Sequence, residues 1–63
     1  MKKIVKKAIK VYIQNQGSYP KPGEKIGWFQ HVLSILETDG RKFTVKVGNK
    51  YHGGETLVRI NIN

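Results

Sequence analysis

The amino-acid sequence predicts a small α+β domain: an N-terminal amphipathic helix, a second helix and a C-terminal antiparallel β-hairpin. Three observations lead there. Apolar residues recur at helical spacing over 4–13 and 26–36, they alternate with polar residues in the last third, and Gly- or Pro-rich sequence separates these segments. The 63 residues allow one small basic domain, 1–63. A chain this short buries only about 60% of the surface its unfolded form exposes, so its core is thin. Without cysteine it has neither a disulfide nor a thiolate metal site. Dimerisation or a partner is then the remaining aid to stability in chains of this size.

In the first segment nearly all of Ile4, Val5, Ala8, Ile9, Val11, Tyr12 and Ile13 share a helix face, and Lys2, Lys3, Lys6, Lys7 and Lys10 fill the opposite one. Gly17 is the stop signal. The segment is also rich in β-branched residues, and Ile9, Val11 and Ile13 alternate with Lys10, Tyr12 and Gln14, which makes a strand the competing reading. Gly17 to Gly23, with Pro20 and Pro22, is a loop.

The second helix is expected from about Glu24 to Thr38. Ile26, Trp28, Phe29, Val32, Leu33, Ile35 and Leu36 would face one way, and Gln30, His31, Ser34 and Glu37 the other. Gly27 weakens it by about 1 kcal/mol relative to Ala, and Thr38-Asp39-Gly40 ends it. Phe43, Val45 and Val47, then Val58, Ile60 and Ile62, have the period of two that strands require. Gly48 to Glu55 is the loop between them, completing an antiparallel hairpin.

Twelve Lys+Arg against four Asp+Glu give a net charge of +8 and a sequence pI near 10.1. That charge density favours polyanions, nucleic acid ahead of anionic membrane. No apolar stretch follows the basic N-terminus, so no signal peptide is expected, and none approaches the roughly 20 residues that span a bilayer. Together with the absence of cysteine, this places the expected location in the cytoplasm. Abundant Lys, Ile and Asn suit a low-GC microbial or phage genome.

The order helix, loop, helix, hairpin with a basic Gly-rich tip resembles the back half of a winged-helix DNA-binding domain over about residues 32–62. The resemblance implies a recognition helix exposing Gln30, His31 and Ser34, and a wing carrying Lys46, Asn49, Lys50, Tyr51 and His52. No Lys or Arg follows Lys25 on that helix, so a bidentate arginine on guanine is not available to it. The alternative is an all-β, SH3-like or OB-like small barrel with strands at about 7–14, 26–36, 42–47 and 56–62 and a short piece at Tyr51. Trp28, Phe43 and Tyr51 would then offer a stacking surface.

The expected nucleic-acid contacts are Lys2, Lys3, Lys6, Lys7, Lys10, Arg41, Lys42, Lys46, Lys50, Tyr51 and Arg59. Five lysines within about three turns of helix create a potential that phosphates would neutralise, and Lys42, Lys46 and Arg59 would share the polar face of the hairpin. The bland alternatives are a solvated helix face and charge protecting an exposed strand. Trp28, Phe29 and Phe43 are expected in the core, because a domain this small needs its largest side chains inside. Tyr51 is the exposed aromatic.

No catalytic residue, metal or cofactor is implied. His31 and His52 are isolated, and Glu24, Glu37, Asp39 and Glu55 are dispersed. The expected function is therefore a non-catalytic nucleic-acid binder, double-stranded DNA ahead of RNA, with a homodimer as a candidate assembly. The competing functions are a phage or mobile-element adaptor or inhibitor on an acidic host protein, and a membrane-active basic peptide.

Overall fold

A computed structural model describes residues 1–62. One helix, α1 (Lys2–Gln16), precedes four strands: β1 (Lys25–Trp28), β2 (His31–Asp39), β3 (Lys42–Asn49) and β4 (Glu55–Asn61). The strands form an antiparallel meander in the order β1-β2-β3-β4. The fold is thus α+β with the expected N-terminal helix and C-terminal hairpin.

The second helix is not there. Residues 25–28 and 31–39 are strands joined by a two-residue turn at Phe29-Gln30, so the recognition helix implied by the winged-helix resemblance has no counterpart. The barrel alternative fails at the other end of the chain, where 7–14 is helix. Two features hid the strands. Leu36 is a bulge, since Ile35 pairs with Val45 and Glu37 with Thr44, and this extra residue breaks the period of two. The turn also lacks the Gly, Asn or Asp that usually marks one.

The helix forms where amphipathicity outweighs β-branching. Val5, Ala8 and Ile9 are buried, with Tyr12 and Ile13 packed beside them. Gly17 ends it in the left-handed conformation, φ 74°, its N–H donating to the Ile13 carbonyl at 2.8 Å. This is the glycine C-cap that avoids a Cβ clash.

One sheet face supplies the rest of the core: Ile26 from β1, Leu33 and Ile35 from β2, Phe43, Val45 and Val47 from β3, Val58 and Ile60 from β4, then Ile62. The helix packs chiefly against β4 and β1, the two edge strands, so the sheet curls around it. Pro20 is buried and the Tyr19 ring lies 5.8 Å from that of Phe43, which closes the core near the β2–β3 turn.

Glu24 ties the helix to the sheet. One carboxylate oxygen accepts from the Tyr12 hydroxyl at 2.6 Å and the other from the Lys21 N–H at 2.6 Å. Its backbone carbonyl accepts from the Ile35 N–H at 2.9 Å.

Candidate functional site

Alternation places the polar residues of β2, β3 and β4 on the sheet face away from α1. Cross-strand rows there read Lys25-Ser34-Lys46-Leu57, then Glu37-Thr44-Arg59, then Asp39-Lys42-Asn61. Lys42, Lys46 and Arg59 do share one face, in diagonal relation across β3 and β4. Lys46 lies 3.9 Å from Glu55, an exposed pair of a kind that contributes little to stability.

A groove of about 750 Å³ joins this face to the start of the helix. Lys2, Lys3 and Lys6 line it from α1, Lys42 and Thr44 from β3, Arg59 and Asn61 from β4, and Glu37 and Asp39 from β2. Five basic side chains thus meet two acidic ones. Arg41 is exposed in the adjoining β2–β3 turn. The helix end adds to the field: its first turn holds no acidic residue, and Met1 at the N-cap makes no side-chain capping bond. Lysines at the positive end of a helix dipole repel it, which an anion would relieve.

The other expected contacts are not brought into this groove. Lys7 and Lys10 are exposed further along α1. Lys50 and Tyr51 lie at the opposite end of the sheet, roughly 23 Å away by the rise of β3. Trp28 is half-buried against the core and Phe43 is fully buried, but Phe29, expected inside, is 81% exposed. Size alone favours burial, but the β1–β2 turn holds this ring outside the core. Lys25, on the polar face of β1, was also not among the expected contacts; its alternation with Ile26 was the signal.

One pair of titratable groups is perturbed by its contacts. The Tyr12 hydroxyl bond and the Lys21 N–H hold the Glu24 carboxyl below the usual glutamate range, while the same bond to Glu24 raises Tyr12. This pair braces the fold and lies outside the groove. Among the described residues no group of three His, Asp or Glu is placed to hold a metal ion, and no helix is long and apolar enough to cross a membrane.

Comparison with protein-family models, curated proteins and solved structures finds no match to this chain.

Proposed function

We propose that the protein is a non-catalytic nucleic-acid-binding module that engages duplex DNA mainly through its phosphates. The observation that supports this reading is the convergence of Lys2, Lys3, Lys6, Lys42 and Arg59 on one groove. These residues come from three elements far apart in sequence, whereas a merely solubilising charge has no reason to be gathered. Four of the five are lysines, point charges on flexible stems that suit phosphate oxygens better than the fixed edges of bases. Duplex DNA offers one negative charge per roughly 1.7 Å of axis, enough to engage all five at once.

The test is affinity for a short duplex across a salt series. With five phosphates neutralised, log affinity falls linearly against log salt with a slope of about −4 to −5. Binding that ignores salt, or none at low salt, contradicts the reading.

A second reading, an adaptor or inhibitor on an acidic protein, draws on one observation. Exposed Met1 and Leu57 line a smaller groove beside Lys2 and Arg59 along edge strand β4, and apolar spots ringed by charge suit protein partners. Capture of one acidic protein that survives nuclease treatment and is lost on Leu57→Lys supports it over DNA.

A further inference from the structure

At the end of the sheet away from the groove, the β1–β2 turn and the β3–β4 loop are joined by a hydrogen bond from the Lys50 N–H to the Gln30 carbonyl at 2.8 Å. This brings together Phe29, 81% exposed, and Tyr51, 78% exposed. The Phe29 side chain and the Tyr51 backbone are held in place. The Phe29 ring meets the half-buried Trp28 edge to face, centroids 5.2 Å apart, and the Asn49 side-chain oxygen accepts from the Tyr51 and His52 N–H groups at 2.8 and 3.2 Å. Phe29 has φ 55°, the only positive value at a non-glycine residue among those described. Its backbone is therefore strained and its ring faces water, neither of which stabilises the fold; such outliers collect at functional positions. Cations lead to it: Lys46 and Lys25 on the outer sheet face, then Lys50, whose amine lies 3.8 Å from where a Cβ on Gly27 would be.

We propose that Phe29 and Tyr51 form a base-stacking end, so that nucleic acid held by its phosphates gains a further contact wherever its bases are unpaired, as in a single strand or at the end of a duplex. The inference rests on the phosphate-binding reading above and adds what that reading lacks, a contact to bases. Exposed aromatic faces at the end of a basic track are the combination with which sequence-tolerant single-strand binders work, since every base has a face to stack. A paired base inside a duplex presents no such face.

The experiment compares a thymidine strand of about twelve nucleotides with an abasic strand of equal length, followed by the fluorescence of Trp28, the single tryptophan. The thymidine strand binds about 5- to 100-fold more tightly, and both strands show the same salt slope. Phe29→Gly, which accepts the positive φ without strain, removes most of that preference and leaves abasic affinity unchanged; Tyr51→Phe keeps it. Equal affinity for the two strands, or a preference that survives Phe29→Gly, overturns base stacking while leaving phosphate binding intact. If neither strand binds at low salt, phosphate binding itself fails and the inference with it. Phe29-dependent binding to anionic vesicles without any base preference would assign this end to a lipid surface and also overturns the inference.

Discussion

The two tight turns of the sheet make the same backbone demand and meet it with opposite residues. Each is a two-residue connection with positive φ at its first position and not at its second, the sign pattern of a type II′ turn: Gly40 at 61°, Phe29 at 55°. Glycine adopts that conformation freely, whereas a side chain there costs roughly 1–2 kcal/mol through the clash of its Cβ with the carbonyl oxygen. Around Gly40 the fold is closed by Tyr19, Pro20 and Phe43, with charge gathered outside. Around Phe29 the aromatics are turned outward. The turn geometry explains Gly40 and does not explain Phe29, so one end of the sheet follows from folding and the other needs a reason outside it.

Perturbing each end separates these roles. The largest expected effect is on binding. Replacing Lys2, Lys3, Lys6 and Lys42 together by Gln lowers duplex affinity at least 10-fold at low salt and removes about one unit of salt slope for each phosphate no longer neutralised. The Lys7→Gln, Lys10→Gln pair, outside the groove, changes the slope by less. Filter binding or anisotropy over a salt series reads both.

Next in size is Gly40→Phe, which places at one turn what the other tolerates. It should destabilise the protein by about 1–2 kcal/mol, lowering Tm by several degrees in thermal melts. Open space around Gly40 means the penalty is backbone strain and not a clash with neighbours.

Lys3→Glu should move stability and binding in opposite directions. An acidic residue in the first helical turn stabilises by about 0.3–1 kcal/mol, so Tm rises by a few degrees while DNA affinity falls. A charge merely keeping the protein soluble would show no such exchange.

The smallest effect of this series is Phe29→Gly, near zero on stability because relief of strain offsets the lost edge contact with Trp28 and the added freedom of the unfolded chain. A large loss of Tm would mean that Phe29 packs in the core after all.

Acid tests the brace between the helix and the sheet. The Glu24 carboxyl is held down in the folded state chiefly by the Tyr12 hydroxyl and then by the Lys21 N–H. Its contribution is present above the ordinary glutamate value, about 4.3, and is lost as pH falls from there through the lowered folded value. Tyr12→Phe therefore weakens the protein at neutral pH and flattens the decline on its acid side, as urea midpoints measured from pH 3 to 7 would show.

Where the sequence could be read, local signals agreed with the tertiary outcome. The helix has its polar and apolar faces and its Gly17 stop, and β3 and β4 have strict alternation. The segment 24–38 misled because two signals interfered: the bulge at Leu36 sets Ile35 and Leu36 side by side, as a helix face would, and Phe29-Gln30 turns without turn residues. Gly27 and the β-branched Ile26, Val32 and Ile35 were the hints against a helix. For the site, charge identified the cations, but only the register of the sheet and the position of α1 gather Lys2, Lys3 and Lys6 with Lys42 and Arg59. The exposed Phe29 was illegible, since composition favours burying a phenylalanine and the turn that exposes it carries no mark.

On the proposed function, phosphate sits in the groove between the start of α1 and the outer sheet face. Amide chemical shifts of the labelled protein, titrated with a short duplex at low and then high salt, test it most directly. If phosphate binds there, the shifts concentrate at residues 2–6, 41–44 and 59–61 and revert as salt is raised. Shifts confined to other parts of the chain, or none at low salt, would contradict it.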